Sequence, residues 1–229
     1  DPRDLHSFPT RRSSDLCHDA GRFDKWGCLF KLTFLREAVR RLNYDYFVWL
    51  DTDCYFVRHP GDILRVLRGS PFHVTLECDL CRPQNRRPDW WGCPNATFAD
   101  LLRRQGVRNR SIYNVNGGFF VIHHDVIDTV VSLATGFWHA AKAAGYTFND
   151  EPLLAYAMQM VCGDPQRHTL REHADVWASD WTGYFAGALP DGQPWWFTDY
   201  FTEEVYPVDP AIVHAMRSKE AMLSASNLL

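Results

Sequence analysis

No stretch of this 229-residue chain holds an apolar run approaching the roughly 20 residues of a membrane-spanning helix. It has no internal repeat and no low-complexity segment, which speaks against solenoids and linker-rich assemblies. A strong charge bias is also missing. Twenty-four Lys+Arg against 28 Asp+Glu leave a formal net charge of -4. That balance carries no electrostatic footprint for nucleic acid or an anionic membrane surface. The seven cysteines are odd in number and scattered, unlike the framework of a small disulfide-stapled domain. A single Cys-x-x-Cys occurs, at Cys78 and Cys81. With Cys93 and His73 it offers four zinc-type ligands. A second such pair is lacking, so unligated or loop-pinning cysteines are the preferred reading.

What is present indicates a folded chain. A hydrophobic share of 46% excludes wholesale disorder, and the length fits one large domain or two small ones. Nine Trp, nine Tyr and fifteen Phe are many. Ring-rich chains often bury flat ligands or sugars, although aromatics are also ordinary core. Residues 1–16 have no helical or strand period and no signal-peptide core. From His6 to Leu16 they resemble a translated sequencing adaptor. They are expected to be an artefactual or disordered tail, with the domain running over 17–229 and its first strand lost. Asn95-Ala96-Thr97 and Asn109-Arg110-Ser111 match the glycosylation sequon but fix no compartment.

Hydrophobic periodicity predicts the elements. Phe30, Phe34, Leu35, Ala38, Val39 and Leu42 fall at helical spacing, with Lys31 among the solvated cations of the other face. Tyr46 to Leu50 reads as a strand buried on both faces. Ile63 to Leu67 reads as a short helix, and Phe72 to Leu76 as a strand. Cys78 to Arg110 is a long polar stretch with one helix near Phe98 to Arg104. Asn114 to Ile122 contains a strand after Gly117-Gly118. Val126 to Ala144 and Glu151 to Met160 are helices, and Ala211 to Val213 is a strand ending at His214. Strands alternating with helices indicate an α/β fold with a mostly parallel central sheet. Ligands of such sheets bind outside the carboxyl ends of the strands.

Asp51 and Asp53 stand at that end of the 46–50 strand. Two apart in an extended chain, their side chains would share a face. Paired carboxylates repel unless a proton or cation sits between them. Oxygen ligands select a hard divalent ion such as Mn2+ or Mg2+. The bland reading is a strand-end turn, where Asp is common.

Here the residues resemble a family. Tyr46 to Phe56 is similar to the Asp-x-Asp region of GT-A-fold glycosyltransferases. Asn116-Gly117-Gly118-Phe119-Phe120-Val121-Ile122 resembles the strand lining the sugar pocket of glycogenin-like and blood-group-type members. Asn149-Asp150-Glu151 resembles their acidic segment near the reacting carbon. His214, followed by Arg217 and Lys219, resembles the late metal-ligating His and its phosphate-binding partner. The family pattern places that Lys sixth after the His; Lys219 is fifth, so Arg217 is the alternative.

The resemblance implies a single Rossmann-like GT-A domain and a metal-dependent sugar transfer with retention. The donor would be a nucleoside-diphosphate sugar, a UDP-sugar first, and the acceptor a carbohydrate or other hydroxyl. It implies Asp51, Asp53 and His214 as metal ligands, Asp51 also meeting the donor. Glu151 and Asp150 would be catalytic. Asn116, Gly117, Gly118, Lys31, Arg217, Lys219 and Trp181 would bind the donor. Each has a plainer alternative: helix capping for Asp150 and Glu151, a strand bulge for the glycines, turn chemistry for Asn114 and Asn116. Trp90, Trp91, Trp181, Trp195 and Trp196 are candidates for stacking an acceptor sugar, or simply core. A haloacid-dehalogenase-type phosphohydrolase also sets Asp-x-Asp after a buried strand. There the second residue beyond the motif is Thr or Val; here it is Tyr55. A non-catalytic carbohydrate-binding protein on a degenerate transferase fold is the other rival.

Overall fold

The computed structural model describes residues 29–56, 70–81 and 88–163 and, further on, the strands at 177–179, 183–186, 195–199, 205–208 and 212–214. The short helix expected at Ile63 to Leu67 lies outside them, as do residues 1–16. The architecture is mixed helix and strand. Helix α1 (Phe30–Arg41) leads into β1 (Tyr46–Leu50) and β2 (Cys54–Phe56). Then come β3 (Phe72–Asp79), a small hairpin of β4 (Asp89–Trp90) and β5 (Cys93–Pro94), and α2 (Asn95–Arg104). The long strand β6 (Tyr113–His123) is followed by α3 (Ile127–Ala143) and α4 (Asp150–Cys162). The short strands β7 (Trp177–Ser179), β8 (Gly183–Ala186), β9 (Trp195–Asp199), β10 (Val205–Val208) and β11 (Ile212–His214) complete the order.

The mostly parallel sheet expected from helix–strand alternation is not what the described residues form. Their sheets are small and largely antiparallel. β6 lies between β1 and β3 and runs opposite to both. β11 pairs antiparallel with β2 and parallel with β7. β8, β9 and β10 form an antiparallel ribbon. Periodicity reports burial, and burial does not report strand direction.

β6 is buried from Tyr113 to Ile122 and is the spine of the core. α3 contributes Val130, Ala134, Phe137 and Ala141, one stripe at helical spacing. α4 is buried from Pro152 to Gln159, which suits its nearly unbroken apolar sequence. β1, by contrast, is not covered on both faces. It ends the sheet, and Val48 is 41% exposed. Trp49 instead stacks on Phe120 at 6.3 Å and meets Phe30 and Phe34 edge-on. That ring cluster clamps α1 onto the sheet and fixes where Lys31 points.

β6 and β3 fall out of register at two places, between Leu76 and Asp79 and, nearer the site, between Val74 and Thr75. Val74 faces Phe120, yet the next residue, Thr75, faces Asn116. Gly117, Gly118 and Phe119 therefore bulge from the ladder, and Thr75 Oγ1 donates to Phe119 O across the gap at 3.4 Å. Glycine suits such a bulge because backbone or side chains can approach it closely.

Candidate metal centre

β1 and β6 are held in register from Tyr46↔His123 to Leu50↔Phe119. Asp51 N–H extends the ladder one step to Gly118 O at 2.8 Å. The chain then turns, with Cys54 N–H donating to Asp51 O at 3.0 Å. So Asp51 and Asp53 do not sit in extended chain, and their carboxylates part company. This corrects the shared face expected from their spacing: an i to i+3 turn rotates the second residue away.

Asp53 turns toward β11. Its Oδ1 lies 3.1 Å from His214 Nε2, and the two side chains are 17% and 4% exposed. The pairing of His214 with Cys54 across β11 and β2 places the imidazole there. Asp53, Cys54 and His214 each offer a ligand atom within 4.8 Å of the others. Cys54 is the poor member. Its thiol is pushed up to about 12 by burial and then by the charge of Asp51. It donates its proton to Gly118 O at 3.4 Å. The pair that could hold a metal is thus one carboxylate and one imidazole, donors that suit a cation such as Mn2+ better than a soft, thiophilic one.

Asp51 turns the other way. Its Oδ1 accepts from Trp49 Nε1 at 2.6 Å and its Oδ2 from Lys31 Nζ at 2.9 Å. It is not within the Asp53–His214 group, and the three-ligand convergence expected from sequence reduces to two. Lys31 is not a solvated helix-face lysine. It bridges Asp51 and Asp150, the latter at 2.8 Å, and also donates to Gly117 O at 2.9 Å. Burial acts to lower the Lys31 pKa, but Asp150 and then Asp51 outweigh it, and the net shift is upward.

Asp150 and Glu151 open α4, where the helix dipole favours carboxylates. Their side chains nevertheless reach across to the bulge. Asp150, 8% exposed, holds Lys31. Glu151 Oε1 accepts from Gly117 N–H at 3.2 Å, and its Oε2 accepts from Trp91 Nε1 at 2.9 Å. Asn116 uses its Oδ1 locally, accepting from Gly118 N–H at 2.8 Å, which braces the bulge in the manner of an Asx turn. Asn114 is fully buried.

The two glycines show how tightly these groups meet. A Cβ on Gly118 would lie 2.7 Å from His214 Cε1 and 2.9 Å from Asn116 Oδ1. A Cβ on Gly117 would lie 2.7 Å from Asp150 Oδ2 and 3.2 Å from Glu151 Cγ. The bulge is therefore wedged between the Asp53–His214 pair and the acidic pair of α4. Residues from five segments (31, 51–53, 116–118, 150–151 and 214) come together at the bulge within β6, where its pairing with β1 ends.

Trp91, one of several tryptophans named as stacking candidates, is the one that the structure brings to Glu151. It sits at the tip of the β4–β5 hairpin, inside the long polar stretch, in strands of two residues each. A Trp-Gly pair at the turn was the one local signal. Trp181, Arg217 and Lys219 lie outside the described residues, so the donor-binding roles expected of them have no placement. Among the described residues, His73, Cys81 and Cys93 form no metal-ligand group. Cys93, in β5 of the hairpin, is buried and donates to Pro94 O, while Cys81 is exposed just beyond β3. The side chain of Cys78 is not among those described.

A second metal-capable group does occur. Asp45, His123 and His124 gather at the opposite end of β1 and β6. No helix among the described residues is long and apolar enough to cross a membrane. No family model matches the chain. No curated protein matches it either.

Proposed function

We propose that the chain is a metal-dependent glycosyltransferase of GT-A type, transferring a sugar from a nucleoside-diphosphate sugar to a hydroxyl acceptor with retention. One observation carries the reading. The Asp-x-Asp turn, the Gly-Gly bulge, the Asp150–Glu151 helix start and His214 are far apart in sequence, yet they pack around the same two glycines. The reading implies a GT-A domain; among the described strands β11 and β7 form the one parallel pair.

On this reading Asp53 and His214 hold Mn2+ or Mg2+. When bound, the cation supplies charge neutralisation to the departing diphosphate. Asp51 and Lys31 form a preset ion pair beside it, and Asp51 keeps lone pairs free for a donor hydroxyl. Lys31 holds Asp150 in place. Glu151, held by one backbone N–H and one indole N–H, is fixed next to the glycine backbone where a donor sugar would rest. Its carboxylate is placed to stabilise positive charge at the anomeric carbon, attack it, or take the acceptor's proton.

The test is hydrolysis and transfer with a panel of nucleoside-diphosphate sugars, with Mn2+ and with chelator. Turnover with at least one donor is expected, lost on chelation. Asp53→Asn and Glu151→Gln should each lower it by about 100-fold or more. No turnover of any donor, with metal affinity unchanged in Asp53→Asn, would overturn the proposal.

A further inference from the structure

Trp91 has no core role. Its neighbour Trp90 is 4% exposed and packs edge-on against Phe98 at 5.1 Å, which anchors the β4–β5 hairpin. Trp91 is 45% exposed. Its backbone φ is +53°, the one positive value at a non-glycine among the described residues, and Gly92 follows at +71°. Two successive positive φ values across a two-residue connection are the pattern of a type I′ turn. Such a turn favours Asn, Asp or Gly at its first position; a bulky side chain there is strained. Strained residues persist where surrounding contacts hold them, and they cluster at binding sites. Here the holding contact is specific: Trp91 Nε1 donates to Glu151 Oε2 at 2.9 Å.

An exposed ring alone is ordinary. A strained, exposed indole tied by its one donor to the carboxylate beside the glycine bulge is not explained by packing. We infer that Trp91 is an acceptor platform, and that the acceptor is a pyranose whose apolar C–H face stacks on the indole. This rests on the transferase reading and deepens it by choosing a sugar among hydroxyl acceptors. The ring supplies a flat apolar surface, and Glu151 lies at its edge to meet the sugar's hydroxyl. A serine or small alcohol has no face to stack and gains nothing from the ring.

Two variants separate the ring from the N–H. Trp91→Phe keeps a ring and loses the bond to Glu151. Trp91→Gly loses both and relieves the turn, so it folds. Both lose the same bond, so their donor hydrolysis in water should match. For transfer to methyl pyranosides, the acceptor KM should rise about tenfold in Trp91→Gly and stay within about threefold in Trp91→Phe. Equal acceptor KM values in the two variants would overturn the platform. A readout without turnover distinguishes this failure from failure of the transferase reading. The 19F signal of 5-fluorotryptophan at position 91, assigned by its loss in Trp91→Phe, should shift on titration with methyl pyranosides and not with a nucleoside diphosphate alone. No shift with any pyranoside would overturn the platform even if donors are hydrolysed. A shift without donor hydrolysis would retain the sugar platform and sink the transferase.

Discussion

The two ends of the β1–β6 ribbon both bring carboxylates to imidazoles, yet they differ in kind. At one end Asp53 meets His214 at 3.1 Å with both side chains largely buried. At the other, His124 Nε2 meets Asp125 Oδ1 at 2.8 Å, with the side chains 42% and 71% exposed. The shorter contact is the weaker one, because water and salt screen an exposed pair. The buried end also has no slack. Gly117 and Gly118 touch site residues, Lys31 has three acceptors, and Glu151 is held at both oxygens. Ligand-type residues near one another are common; desolvation and fixed geometry make a site of them.

The largest break in this contrast is expected at Gly118. Gly118→Ala forces a Cβ into His214 and Asn116, and should cost about 2 kcal/mol or more of stability in denaturant unfolding. Gly136, exposed in α3 with nothing within 4 Å of an added Cβ, gives the opposite sign. Gly136→Ala should stabilise by about 0.5–1 kcal/mol. Equal effects at the two glycines would remove the case for a close-packed bulge.

Lys31→Met comes next. It leaves Asp51 and Asp150 facing each other without their cation, and should destabilise by about 2 kcal/mol at neutral pH. That is less than a fully buried pair because Lys31 retains 20% exposure. The sign with pH follows from the raised Lys31 pKa. Its contribution is complete below the unfolded value of 10.5 and is lost as pH rises through the folded value. Wild type should therefore lose stability in the alkaline range more steeply than Lys31→Met. Parallel pH curves would show that the bridge is energetically idle.

At the exposed end, His124→Ala and Asp125→Asn should each change stability by no more than about 0.5 kcal/mol, and less again in high salt. A loss comparable to that of Lys31→Met would erase the distinction between the two ends.

The sequence makes some of this legible and hides the rest for identifiable reasons. The helical stripe of α1 and the apolar runs of α3 and α4 place those helices within a residue or two, whereas the Phe119 to Ile122 run gives only the second half of β6, which begins at Tyr113. Asp53, Glu151 and His214 can be singled out because each stands at an element boundary beside an apolar run. The turn at Asp51 to Cys54 stood only as the plainer alternative to an extended pair, and a single backbone bond decides for it. The bridging role of Lys31 could not be read, because its helical position looks solvent-facing until Trp49 and β6 roof it over. Strand direction depends on which distant segments pair, and composition carries no trace of it. The β4–β5 hairpin is too short for any period.

The most direct measurement is Mn2+ affinity by isothermal titration in wild type, in His214→Ala and in the double variant His123→Ala/His124→Ala. One site is expected in wild type, lost in His214→Ala and unchanged in the double variant. Loss of the site in the double variant, with His214→Ala binding as wild type does, would place the metal at the wrong end of the ribbon and contradict the account.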